Sequence, residues 1–272
     1  MSLRFYPIGK RSFGFLEPNY FNLPSILSIA NNRKDPYIEK RVYSRSFVKV
    51  WVLFLIWLNF SSLCAEDLSQ TYTFPKLTEV HYEGFGRFEI HQSNQNTCIL
   101  KGDQTLLDQV EISYQNGTLW IRSNVPNHDE TFTVVLQVAH LHKLLLSGDV
   151  VVDIDTIKGE DLMIEMGRHG TPLVEGYIDY KRLFIAMYGE TRSLLKGKVK
   201  DLMVYIEGAG VYRGELLEAA NGNIWIQGLG KACVHIKQIL TISTLGWGRV
   251  EYAGNPKTIK RRGPQFQKEK NE

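Results

Sequence analysis

The feature that most constrains this chain is a repeat of about 20 residues between Leu141 and Gly254. One apolar column reads Leu144, Ile164, Ile185, Val204, Ile224 and Ile242, at steps of 20, 21, 19, 20 and 18 residues. Two residues further on, Leu146, Met166, Met187, Ile206, Ile226 and Thr244 form a second column. Apolar positions at i and i+2 have the period of a strand, not of a helix. Each copy then passes to a glycine, at Gly148, Gly167, Gly189, Gly208, Gly228 and Gly246, the residue that suits a tight bend. A second short strand follows, marked by Val152 and Ile154, Val174, Leu195, Tyr212, Val234, and Val250 with Tyr252.

Copies this short leave no room for helices, so the economical arrangement is a β-solenoid whose coils stack like columns on one another. A flat antiparallel meander is the alternative. It needs a hairpin signal between every pair of strands, and within the repeats only Asn221-Gly222 is of that kind. With strands about 4.8 Å apart, six coils would make a stack of about 30 Å. The expected fold is therefore all-β. About six coils occupy 141–256, a hairpin-rich β cap precedes them at 66–140, and a basic tail follows at 257–272.

The chain has 272 residues, 43% of them hydrophobic and 22% charged, with a net charge of +3. That is ample for a core. The slight basic excess comes partly from the two ends and gives no reason to expect a nucleic-acid partner. Residues 1–45 show no period and read as a leader extension, unless translation starts further down, near Val42 or Val48. Arg41 and Arg45 precede the apolar run Val50–Leu58, and Ser61, Ser62, Cys64 and Ala65 lead out to Glu66 and Asp67. Those are the parts of a secretory signal peptide over 46–65, and the run is short of the roughly 20 residues of a membrane span. Cleavage after Ala65 is expected; a lipid-modified Cys64 and a retained anchor are the alternatives. The mature protein is then expected in the periplasm, on the outer-membrane surface or outside the cell, touching a membrane only through a retained signal.

Ahead of the repeats, Val110–Tyr114 and Leu119–Ile121 flank Asn116-Gly117, a strong hairpin signal. Asp103–Asp108 suits one helical turn, and Thr131–Leu136 one more strand. The phrases Lys101-Gly102-Asp103-Gln104-Thr105-Leu106-Leu107 and Asn116-Gly117-Thr118-Leu119-Trp120-Ile121 resemble the opening of the head GIN domain family of bacterial envelope proteins, described as auto-transporter adhesins. Leu141–Gly148 resembles that family's approach to its repeats, and Gly248–Pro256 its closing phrase. The chain departs from the family ending at Arg261-Arg262-Gly263-Pro264. The resemblance spans roughly residues 74–263. It implies a right-handed parallel β-helix and an adhesive role, and it brings no catalytic residues.

Chemistry-bearing patterns are sparse. His140 and His142 share a strand face without a visible third metal ligand, and the ordinary reading is a solvated pair. Asp153 and Asp155 have the spacing of a paired-carboxylate or calcium site, but they also fit the wet face of a strand whose dry face is Val152 and Ile154. Cys98 and Cys233 read as two separate thiols rather than a bridge. No nucleophile motif or phosphate loop appears. The expectation is a protein that is not an enzyme and carries no cofactor or metal. It would be an exported adhesin or structural module that binds envelope polysaccharide or another protein through the solenoid flank. A carbohydrate-active β-helix enzyme and a ligand-free scaffold are the alternatives.

If Leu162, Ile164 and Met166 point inward, their neighbours point out. The outward columns then read Met163, Phe184, Met203 and Glu165, Ala186, Tyr205, Trp225, Ser243. An apolar and aromatic outer face is either covered by the N-terminal half, through Trp120 or Phe132, or open as a contact surface. Met163, Phe184, Met203, Tyr205 and Trp225 are the candidate binding patch.

The leader reading is checked by mass spectrometry of the envelope fraction: the mature chain should start near Glu66, and an intact cytosolic chain retaining Val50–Leu58 would contradict it.

Overall fold

A computed structural model describes residues 68–125 and 132–263; residues 1–67, which hold the stretches expected as leader and signal, 126–131 and 264–272 lie outside the described residues. Among the described residues there are fifteen strands and one helical turn: β1 (Leu68–Thr73), β2 (Glu79–Gly84), β3 (Gly86–Gln92), β4 (Thr97–Gly102), α1 (Gln104–Leu107), β5 (Val110–Gln115), β6 (Thr118–Ser123), β7 (Thr133–Val138), β8 (Lys143–Ser147), β9 (Val150–Met166), β10 (Leu173–Gly189), β11 (Arg192–Gly208), β12 (Val211–Gly228), β13 (Lys231–Gly246), β14 (Arg249–Ala253) and β15 (Thr258–Arg262).

Strands β9 to β13 are 16 to 18 residues long, and each bends to serve two walls. The C-terminal half of β9 pairs with β8, and its N-terminal half with β3. The first wall runs β5-β6-β2-β8-β9-β10-β11-β12-β13-β15, and the second β1-β4-β7-β3-β9-β10-β11-β12-β13-β14. From β8 to β14 the chain winds through six sequential coils, every pairing parallel. Register shifts at Gly176/Ile178, Leu194/Lys196 and Gly214/Glu218 mark the bend between walls. The expected solenoid is thus present. Asn221-Gly222 makes no hairpin; it lies inside β12, in register with Asp201 and Leu202.

The segment ahead of the repeats, expected as a cap, does more than cap. The Asn116-Gly117 hairpin joins β5 to β6, with φ of 52° and 86° at its two residues. Antiparallel β4 and β1 close the second wall, and β5 closes the first. Between them, β6–β7 and β2–β3 are two further parallel coils stacked out of sequence order, because β2 is threaded between β6 and β8. Gln92 secures the crossing: its side-chain amide donates to Ala139 O and Lys158 O, and its Oε1 accepts from Lys158 N. At the other end, residues 258–262 were expected in the tail and instead add β15 to β13. A run of Lys and Arg hid a strand whose Ile259 stands in register with Leu240.

Both inward columns are buried, from Leu144 to Ile242 and from Leu146 to Thr244. The third corner is filled by Ile157, Ile178, Val199, Ala219 and Ile236. Cys98 and Cys233 are buried free thiols, and burial pushes Cys98 up to about 12.

The glycine corners set the coil spacing. Gly208 has φ of 114°, and a Cβ there would lie 2.9 Å from Gly189 O. Gly189, also at positive φ, has only Gly167 O near, at 3.8 Å.

Ile185→Ala should cost about 2–5 kcal/mol by chemical denaturation. Glu165, although it stands in an outward column, has a side chain only 14% exposed and an ion pair with Arg168. The exposed Gln227 is therefore the better reference, and Gln227→Ala should stay within about 0.5 kcal/mol. Gly208→Ala should cost about 1–3 kcal/mol from its backbone conformation alone, and more than Gly189→Ala. Equal losses at Ile185 and Gln227 would contradict the face assignment.

Candidate functional site

Parallel pairing in register lines up every outward residue of the first wall with its counterparts on neighbouring coils. One row runs Lys143, Met163, Phe184, Met203, Asn223, Thr241. The next runs Trp120, His81, Leu145, Glu165, Ala186, Tyr205, Trp225 and Ser243. All five candidate residues therefore lie on one face. Met203 is 47% and Trp225 53% exposed, while Met163, Phe184 and Tyr205 are half-buried. Ala186 is buried beneath its larger neighbours.

Neither residue expected to cover the patch does so. Phe132 is fully buried in the core, and Trp120, 37% exposed, stands on the same outer face. Among the described residues the face is open.

Tyr188, Tyr205 and Trp225 form a line of edge contacts, with ring centroids 6.0 and 6.2 Å apart. Tyr205 donates its hydroxyl to Glu207 at 2.8 Å. Arg168 lies 5.1 Å over the Tyr188 ring and pairs with Glu165. Continuing the alternation one step beyond Ala186 finds Tyr188 in the sequence. Trp120 and His81 have no such signal, because the place of β2 in the stack is not sequential.

Two depressions flank this line. One, of about 510 Å³, has the buried Leu162, Leu183 and Leu202 between the row of Met163, Phe184 and Met203 and a rim of Asp161, Arg182, Asp201 and Asn221. Arg182 donates to Asp161, holding that carboxyl below the usual carboxylate range, and Asn221 donates to Asp201 at 2.8 Å. The other, of about 400 Å³, lies among His81, Trp120, Leu145, Glu165, Arg168 and His169. His81 and Trp120 meet edge to face at 5.4 Å. Burial, and then Lys143, hold the His81 imidazole below its ordinary pKa.

The polar pairs singled out in the sequence form no shared site, and His140 and His142 lie between β7 and β8, not on a strand face. His140 and His142 are both exposed, and His142 Nδ1 lies 3.3 Å from Asp161 O. Asp153 lies 2.6 Å from Arg87, and Asp155 3.5 Å from His91, with Val152 and Ile154 buried beneath them. Among the described residues, no three His, Cys, Asp or Glu side chains are grouped to hold a metal ion. No helix among them is long and apolar enough to cross a membrane.

The fold is similar to a crystal structure called a “putative adhesin” from Bacteroides fragilis NCTC 9343. The TM-score is 0.64 at 17% identity, over 72% of this chain and 92% of that one. It is also similar to a “Putative lipid binding protein” from Parabacteroides distasonis ATCC 8503, with TM-score 0.53 at 17% identity over 73% and 94% of the two chains. At such identity the likeness is one of fold alone. No curated protein matches the chain. Residues 76–256 match the family described as “Putative auto-transporter adhesin, head GIN domain”, and the chain belongs to that family.

Proposed function

We propose that the protein is an exported cell-envelope binding module that holds an extended polysaccharide against the outer face of its first wall. The observation that carries this reading is the line of Tyr188, Tyr205 and Trp225 on successive coils, beside the open apolar row of Met163, Phe184 and Met203. A contiguous exposed apolar face on a soluble chain marks a contact surface. Aromatic rings offer apolar area to sugar C–H faces, and the Asp161–Arg182–Asp201–Asn221 rim offers hydrogen bonds to hydroxyls. Export is supported by the family's adhesin description and by the apolar run before Glu66. Binding without turnover is favoured because the carboxylates on the opposite wall are tied to Arg87 and His91.

A panel of envelope and extracellular polysaccharides tests the reading. Retention without product release is expected, and Trp225→Ala should weaken it by about 1–2 kcal/mol with an unchanged melting profile. Unaltered binding in that variant would remove the face from the account, and released sugar would point to an enzyme.

A further inference from the structure

We infer that the polysaccharide held on this face is an uncharged one, and that the face turns away uronate, sulfated and phosphorylated chains. The inference rests on the polysaccharide reading above and names the class of chain that fits it. Parallel register sets a polar row on either side of the apolar and aromatic rows. Asp161, Arg182, Asp201 and Asn221 form one across β9 to β12. Tyr188, Glu207 and Gln227 form the other across β10 to β12. Strands about 4.8 Å apart make this stretch about 14 Å long.

The charges on this stretch do not balance. Along β9 to β12 the outward charged side chains of the first wall are Asp161, Glu165, Arg182, Asp201 and Glu207, and Arg168 joins them from the loop after β9. That is four carboxylates against two guanidiniums. Each guanidinium is already held. Arg182 donates to both oxygens of Asp161, and Arg168 donates to Glu165 and lies over the Tyr188 ring. A carboxylate or phosphate on the ligand would have to break one of these charge-assisted pairs to reach a cation. Lys143 on β8 and Lys260 on β15 belong to the apolar row but stand outside the stretch.

The other two carboxylates take hydrogen bonds from neutral donors. Asn221 donates to Asp201 and Tyr205 to Glu207, each at 2.8 Å. An ionised carboxylate accepts and cannot donate, and it has about four lone-pair sites. The ligand groups that suit Asp201 and Glu207 are therefore further donors. Sugar hydroxyls are donors. The carboxylates of a uronate chain are not, and they meet a rim of their own sign. At an ionic strength of about 0.01 M the screening length is about 30 Å, longer than the whole stretch, so a negative charge placed anywhere along it is repelled.

Calorimetric titration of the full chain with xylan, mannan and a β-glucan, each in neutral, lightly carboxymethylated and hydroxyethylated form, tests the inference. A neutral polymer that binds should lose about tenfold in affinity on carboxymethylation at about 0.01 M salt and less than about threefold at about 1 M. Hydroxyethylation adds comparable bulk without charge and should change little. Asp201→Asn combined with Glu207→Gln, checked for fold by its melting profile, should remove most of the low-salt loss and weaken neutral binding by about two- to tenfold. Glu207→Gln alone, at an exposed position, should remove part of it and serves if the double variant unfolds. A carboxymethylated polymer held as tightly as the neutral one at low salt overturns the inference and leaves the polysaccharide reading standing. So does a loss that hydroxyethylation reproduces, or one that the variants leave unchanged. If no polymer of any form binds, both fall.

Discussion

Everything else in this structure depends on the backbone of each coil lying in register on the one before, and the glycine corners enforce that register. Ala209 N donates to Gly189 O at 2.9 Å, Leu229 N to Gly208 O at 2.8 Å, and Trp247 N to Gly228 O at 2.9 Å. The same three carbonyl oxygens are the atoms nearest to where a Cβ would sit on Gly208, Gly228 and Gly246, at 2.9, 2.7 and 2.8 Å. Each glycine carbonyl thus accepts the next coil's hydrogen bond and fills the space its missing side chain leaves free. A side chain at such a corner meets both a steric contact and a positive φ. Energetically each coil answers mainly to its two neighbours, so the stack is only as regular as its corners.

Register is also what turns scattered outward residues into a surface. Met163, Phe184 and Met203 are about 20 residues apart in sequence and adjacent in space because their strands pair without slippage. A one-residue slip would carry the whole set to the inside.

Much of the fold was legible in the sequence because each coil repeats one environment. Buried columns such as Leu144 to Ile242 are identical demands made six times, and alternation then fixes which neighbours face out. The outward face of Met163, Phe184, Met203, Tyr205 and Trp225 was legible for the same reason, and Tyr188 needed only one more step of alternation. The N-terminal coils were not legible. Val80 lies between Leu119 and Leu144 in the wall, and no repeat joins these three strands, so the nearby hairpin signal dominated the reading. Trp120 and His81 therefore stayed off the predicted face. The last strand was hidden by charge: Lys260, Arg261 and Arg262 resemble a solvated run, and only the register with β13 reveals Ile259 as the end of an apolar column.

The first wall is continuous, with β2 held between β6 and β8, so that residues of the N-terminal segment and of the repeats share one outer face. Cysteine pairing tests it directly, since Glu83 stands in register with Arg122 on one side and with Ser147 on the other. Glu83→Cys combined in turn with Arg122→Cys and with Ser147→Cys, oxidised gently and mapped by mass spectrometry, should give a cross-link in both pairs. A cross-link to position 122 with none to position 147 would place β2 at the edge of the stack and contradict the continuous wall.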